Sequence, residues 1–429
     1  MTVSERSTEA AGRRAWRLSL VGTLVSSLGT GLTLPFLIVY LHSIRHLSLP
    51  LAGVLVAISA VVGMATTAAG GPLGDRIGLG RVFVLGLVAQ AVGTGLLAVG
   101  GGAAEAVIAI ALTAAGNGTS WPALNGLIAH QVPLAEQPRA FALRFGVLNA
   151  GIGVGGLASG WIVALDNPAS FSLIYGIDAG STALFAALAL VGMRGAPGFH
   201  AVGHGHVRRA EAGERPTHGY RAVLADRAFV AYLACALALG VFGYAQLNGP
   251  WAAFATLIGH ATPRVVGLAF AANTAAIVVS QLAVVRLTRR WRRTRLLALT
   301  AAFWTAGWAA TGVAALPALR GLPADAMLVL SLAVFGLGET FLSPVNGAMP
   351  NVLAPPHLRG RYNALASMTW PVGELIGPPL AGLLLGGPVP ASWVLLIAVG
   401  TALTAVGALA LVRLLPASAN RPPAEVHAG

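Results

Sequence analysis

Lysine is absent from this chain, cysteine occurs once, and only 14 of the 429 residues are acidic. A lone Cys235 excludes an intrachain disulfide, so the thiol content implies no oxidising compartment. All 27 basic residues are arginines, and charged residues make up 10% of the chain, against roughly 25% in a soluble protein. That is too little charge to cover a water-soluble surface of this size or to keep a chain disordered. A Walker-type phosphate loop and a nucleophile–base spacing are also missing, so neither an ATPase nor another enzyme is indicated. No cofactor is expected. What is abundant is apolar: 56% of residues are hydrophobic, with a mean hydropathy of +0.76. The 55 Gly and 25 Pro exclude a long coiled coil. The class that remains is an all-α integral membrane protein with many spans.

A bilayer core takes about 20 apolar residues per helix. Twelve such runs occur, near 16–41, 51–71, 82–101, 106–128, 140–165, 171–193, 228–247, 265–287, 296–316, 326–349, 362–386 and 391–414. The first is too long for a signal peptide and lacks a cleavage site. An even count puts both termini on one side. All arginines except Arg45, Arg264 and Arg320 then fall on that same side, a skew that marks the side as cytoplasmic. The net charge of +13 is thereby read as topology rather than as a nucleic-acid footprint, and no nucleic-acid partner is expected. The implied location is a bacterial cytoplasmic membrane, with N- and C-termini inside.

The longest polar stretch, 194–227, reads as a cytoplasmic linker between six-span halves at 1–193 and 228–416, with a flexible tail at 417–429. Its His200, His204 and His206 lack the further ligands in fixed geometry that a metal needs, and no metal site is expected. The halves repeat in parallel. Arg139, Gly151, Gly155 and Gly160 shift by 222 onto Arg361, Gly373, Gly377 and Gly382, and Pro122 onto Pro344. Gly53, Arg81 and Gly93 shift by 214 onto Gly267, Arg295 and Gly307, and Pro35 by 215 onto Pro250. A parallel six-plus-six repeat suits two bundles built around a midplane site.

Between spans two and three the chain reads Gly71-Pro-Leu-Gly-Asp75-Arg76-Ile-Gly78-Leu-Gly-Arg81. This resembles the loop 2–3 signature of the major facilitator superfamily, with its terminal basic residue slightly displaced. Twelve spans, cytoplasmic termini, a central loop and the half-repeat extend the resemblance over the whole chain. It implies a two-bundle transporter fold. It also implies a cytoplasmic gating role for Gly71, Asp75, Arg76, Gly78 and Arg81, with Gly71 permitting close approach of span two to a neighbour. Small residues four apart, Gly151 and Gly155 in span five and Gly373, Gly377 and Pro378 in span eleven, make smooth faces for close packing along the lateral seams. The span-five pattern is similar to the antiporter motif of drug exporters, with Gly156 in place of its proline. Span four lacks the buried arginine common in proton-coupled exporters.

Three acids lie inside spans: Asp178, Glu339 and Glu374. No arginine lies at comparable depth, because Arg144 is close enough to its span end to snorkel. A carboxylate at midplane costs about 2.5–3.5 kcal/mol on insertion scales. It is tolerated when it holds a proton or faces a wet cavity, which makes each acid a candidate proton carrier. Glu339 comes first, since the resemblance puts span ten on the central cavity and the repeat sets Asn117 of span four opposite it. Glu374 serves equally as a seam hydrogen bond, and Asp178 reads better as structural. Cavity candidates are Asn117, Trp121 and Asn125 in span four, Tyr244, Gln246 and Asn248 in span seven, and Asn346 in span ten. Asn273 and Gln281 read as interhelical hydrogen-bonding groups.

These features imply a secondary transporter whose partners are a small-molecule substrate, protons and the lipid bilayer, acting as a monomer. The preferred direction is proton-coupled export of an amphipathic molecule. Uptake of a small neutral metabolite such as a sugar is the alternative, and a non-transporting sensor or assembly partner the second. The absence of a midplane arginine weighs against anionic substrates.

Overall fold

The structure, a computed structural model, describes residues 3–133, 136–200, 220–355 and 358–421. Contacts divide the chain into two compact units, Met1–Gly213 and Glu214–Gly429. Among the described residues each holds six long helices and no strand. The first unit comprises α1 (Val3–Thr33, prolonged by tighter and wider turns to Ile44), α2 (Leu49–Ile77), α3 (Leu79–Val99), α4 (Ala103–Gln131), α5 (Gln137–Ile162) and α6 (Pro168–Gly192). The second comprises α7 (Arg227–Leu239, prolonged to Ile258 with one break), α8 (Pro263–Thr288), α9 (Arg293–Ala314), α10 (Leu322–Asn346), α11 (Arg359–Leu385) and α12 (Ala391–Ala410). Ten of these are long and apolar enough to cross a membrane. The other two, α4 and α11, have the length but are more polar, with Asn117, Trp121 and Asn125 in one and Glu374 and three internal prolines in the other.

Helix ends follow local chemistry. Asn167 Oδ1 accepts the Ala169 amide at 3.0 Å to start α6. Asp226 Oδ1 accepts the Ala228 and Phe229 amides at 3.0 and 3.2 Å to start α7, an anionic cap set against a helix N-terminus. Between α2 and α3 a single residue, Gly78, turns the chain at φ 94°, a backbone angle open to glycine. The signature expected as a loop is therefore mostly helical: residues 71–77 form the last turns of α2.

The first helix of each unit is interrupted at matching prolines. In α1 a tight turn spans Leu34–Phe36 around Pro35. In α7 the helix stops at Asn248, Gly249 takes φ 93°, and Pro250 opens the next turn. Span seven thus continues well past the expected boundary at residue 247. A proline cannot donate to the preceding turn, which is the physical reason for both breaks.

Packing inside the two units repeats as well. α3 and α2 both lie against α4, and α9 and α8 against α10. α5 lies on α1, and α11 on the α7 segments. Glycines make these last contacts close. A Cβ on Gly155 would collide with the Leu28 carbonyl, and one on Gly31 with that of Ile152. In the second unit a Cβ on Gly373 would come to 2.8 Å from the Gly240 backbone, and one on Gly377 to 2.5 Å from Ala245. The small-residue stripes are thus engaged within each unit, by its own first helix.

Within residues 194–200, expected in the linker, Ala196 and Phe199 are buried in the first unit's core. Phe199 is 2% exposed and packs with Phe83, Ile128 and Met193. Its carbonyl accepts the Gly80 amide at 3.1 Å, so this segment caps the start of α3. His204, His206, most of the linker and residues 422–429 of the tail lie outside the described residues. Tyr220–Ala225 forms a short helical turn ahead of α7.

Replacing Gly155 with leucine should lower the thermal midpoint of detergent-purified protein, at a cost of about 1–3 kcal/mol for overpacking. Gly146→Leu on the same helix, where an added Cβ meets nothing within 4 Å, should leave the midpoint unchanged. Equal effects would refute the close α1–α5 contact.

Candidate functional site

In the second unit the focus is Glu339, on α10. Asn273 of α8, 7% exposed, donates from Nδ2 to Glu339 Oε2 at 3.0 Å and to the Leu332 carbonyl at 3.2 Å. The interhelical bond expected of Asn273 is present, and its partner is the coupling candidate. Tyr244, in a widened turn of α7 (Gly240–Tyr244), places its hydroxyl close enough to interact with the Glu339 carboxylate. Widened turns of this kind recur at functional positions. Glu339 as a whole residue is half-buried.

Aromatic rings surround this pair. Tyr244 lies 4.3 Å from Trp370 of α11 and 4.9 Å from Trp304 of α9, centroid to centroid. Trp304 stacks on Phe335 at 4.4 Å with an interplanar angle of 2° and donates from Nε1 to the Phe335 carbonyl at 3.1 Å. Trp304 is fully buried, whereas Trp370 is 46% exposed. The result is one acid, one phenol and one open indole held on a rigid aromatic floor. Such a surface suits an amphipathic ligand. Trp304 was not among the expected residues, since a buried indole at a core position reads as packing from sequence.

In the first unit Asn117, Trp121 and Asn125 fall four residues apart on one face of α4. Asn117 and Trp121 are exposed and Asn125 is half-buried. Arg144 of α5 completes the group. Its Nη1 donates to Asn125 Oδ1 at 2.8 Å, and its guanidinium carbon sits 4.4 Å from the Trp121 ring centroid. Arg144 is 6% exposed, and its Nε finds no acceptor. The expectation that it snorkels is corrected. The side chain turns inward because an amide oxygen and an aromatic face await it on α4.

Other candidates separate. Gln246 is fully buried: its Nε2 donates to the Val241 carbonyl and its Oε1 accepts from Trp393 Nε1, each at 2.8 Å. It ties α7 to α12 and has no free group for a ligand. Asn248 is half-buried at the break in α7. Asn346 is exposed at the end of α10 and meets the Tyr232 hydroxyl only at 3.5 Å. Asp178, 5% exposed, accepts from Thr33 Oγ1 at 2.8 Å and so joins α6 to α1. Glu374 is half-buried on α11, with no side-chain partner among the described residues. Asp75, Arg76 and Arg81 are exposed. Gly71 is also exposed, and a Cβ there would meet nothing within 4 Å. The close approach expected of Gly71 is made by Gly74 and Gly126, where a Cβ would come to 2.8 Å from the Leu79 side chain.

The sequence matches the profile of the Major Facilitator Superfamily over residues 19–260 and 242–428. The uncharacterized MFS-type transporter YqjV of Bacillus subtilis (strain 168) is 23% identical over 382 residues, covering 86% of this chain and 85% of that protein. The uncharacterized MFS-type transporter YdeE of Escherichia coli (strain K12) is 23% identical over 388 residues, 90% and 92% of the two chains. The quinolone resistance protein NorA of Staphylococcus aureus (strain MRSA252) is 30% identical over 133 residues, 30% of this chain and 34% of NorA. Among solved structures, the peptide transporter POT in complex with sulfate superposes with a TM-score of 0.72 at 16% identity, over 94% of each chain. At that identity the likeness is one of fold.

The Arg144 arrangement makes a stability prediction. Asn125→Ala strands a buried charged donor and should cost about 1–3 kcal/mol, read as a lowered thermal midpoint. Asn125→Asp keeps an acceptor and should retain the midpoint. No loss in Asn125→Ala would mean that Arg144 does not depend on this amide.

Proposed function

The chain belongs to the Major Facilitator Superfamily and is a multi-pass membrane transporter; from that premise we propose that it exports an amphipathic small molecule in exchange for protons. The observation that carries the proposal is the Glu339 constellation. An acid inside a membrane-spanning helix, bonded by Asn273 and near Tyr244, whose ring meets the exposed Trp370, has a hydrogen-bond setting but no basic partner among the described residues. Charged groups at such depth mark ion and substrate pathways. Partial similarity to a quinolone resistance protein supports the export direction. The arginine skew supports cytoplasmic termini.

The mechanism is alternating access. Proton binding at Glu339 from outside neutralises the acid and weakens its hold on the substrate, which leaves. Once the site faces inward, the proton is released and substrate binds again. Tyr244, Trp370 and Asn248 supply contacts in the second unit, and Asn117, Trp121, Asn125 and Arg144 in the first. Asp75, Arg76 and Arg81 serve as the cytoplasmic gate. Glu374, unpartnered on α11, is the second proton candidate. Asp178 acts as a structural tie, in keeping with its bond to Thr33.

Glu339→Gln preserves the acceptor for Asn273 but cannot exchange a proton. In proteoliposomes the variant should still bind and exchange substrate while losing accumulation driven by a pH gradient. Unchanged gradient dependence would defeat the coupling assignment. Inverted vesicles with an acidic interior should load substrate if the direction is export; loading of right-side-out vesicles from an acidic exterior would establish uptake instead.

A further inference from the structure

The corner where α8 meets α9 carries arginines at 286, 289, 290, 292, 293 and 295. Two of its residues have structural work. Arg293 donates to the Ala419 carbonyl at 2.5 Å, and the Thr294 amide donates to Asn420 Oδ1 at 3.1 Å. Ala419 and Asn420 are each 3% exposed. The short turn Ala417–Asn420 is thereby drawn onto the α8–α9 corner. Between them the two segments enclose a cavity of about 620 Å³.

Arg290, Arg292, Arg295 and Arg421 line it, and among the described residues no acidic side chain does. All four are exposed, and none of their guanidinium groups hydrogen-bonds a protein acceptor among the described residues. Arg295 lies over the Trp291 ring at 4.4 Å, which fixes its plane and leaves its N–H edge unused. Four guanidinium groups gathered around one hollow repel each other unless an anion joins them. The pocket is not wholly polar. Leu409 and Val412, at the end of the last membrane helix, form its other wall and are 55% and 40% exposed. A tryptophan at this level is an interfacial residue.

We propose that this pocket binds the phosphate of an anionic phospholipid. Guanidinium forks match phosphate oxygens in bidentate geometry, and basic pockets at the ends of membrane helices hold anionic head groups. Leu409 and Val412 favour a lipid over a soluble phosphate, because acyl chains descending from the head group cover them. The site is independent of the proton-coupling reading: it lies at the ends of α8, α9 and α12 and uses none of the residues assigned to transport.

The test is lipid retention by the full-length protein, purified, delipidated and measured by native mass spectrometry. Wild type should retain phosphatidylglycerol at least about tenfold over phosphatidylcholine, with each surface arginine adding to the preference. The Arg290→Gln, Arg295→Gln, Arg421→Gln triple variant should lose that preference. The corresponding triple lysine variant, which keeps the charge but not the fork, should retain part of it and guards against loss of fold or insertion in the glutamine protein. Inorganic phosphate and glycerol phosphate should not displace the bound lipid. Equal retention of both lipids by wild type, or an unchanged preference in both triple variants, overturns the proposal. Displacement by inorganic phosphate at matched concentration would assign the pocket to a soluble anion and overturn the lipid assignment.

Discussion

A charge inside a hydrocarbon layer must find its partners in the chain that carries it, and this molecule supplies them chiefly as amides and aromatic faces. Each unit holds one buried or half-buried charge served this way. In the first, Arg144 is bonded to Asn125 and lies over Trp121. In the second, Glu339 is bonded to Asn273 and has the Tyr244 hydroxyl nearby. Full burial of an unpaired ion costs several kcal/mol or more. An amide offsets part of this. Arg144 keeps one nitrogen without an acceptor, which makes its environment the less complete of the two.

Those partners are in reach because the helices approach closely and bend at defined places. Gly336 lets α8 come near α10: a Cβ there would meet the Asn273 carbonyl at 2.6 Å and its Nδ2 at 2.9 Å. Gly243 faces the Trp304 ring where a Cβ would not fit, so α7 can bring Tyr244 over the aromatic floor. The proline breaks at residues 35 and 250 end regular winding in each first helix. Backbone irregularity in a membrane is confined to places where protein or water satisfies the freed groups, and in α7 the Gln246 side chain just ahead of the break bonds the Val241 carbonyl of the widened turn and the Trp393 indole. Packing, hydrogen bonding and the location of charge therefore form one problem with one solution.

Much of this was legible in the sequence, for identifiable reasons. The rarity of acids in apolar runs singled out Glu339, and the glycine spacing at 151, 155, 373 and 377 foretold close helix contacts. Pro35 and Pro250 were legible as a repeated pair, though not as helix breaks. What failed was orientation. Arg144 sits few enough residues from its helix start for snorkelling to suffice, and only the neighbouring helix reveals that Asn125 and Trp121 turn it inward. Gln246 looked like a cavity residue because its type is polar, whereas its rotation about α7 places it against α12. Phe199 was hidden by the polar segment that follows it. Each miss concerns which way a side chain faces, and helical periodicity fixes that only when one face is apolar; membrane helices are apolar all round.

The choice of amides over opposite charges also bears on what the acid can do. Were Glu339 paired with an arginine, the ionised form would be held by Coulomb attraction and proton exchange would require breaking the pair. An asparagine N–H can donate to a carboxylate oxygen, and it can equally donate to the carbonyl oxygen of the protonated acid, whose hydroxyl then has Tyr244 within reach as an acceptor. The same partners satisfy both protonation states with little rearrangement. Tyr244 is the element through which this local change reaches a ligand, because its ring contacts Trp370, which is open, and Trp304, which is fixed. A change in the hydroxyl's hydrogen bonding acts on a ring clamped between an immobile indole and an accessible one, so the accessible side is where the proton's arrival is felt.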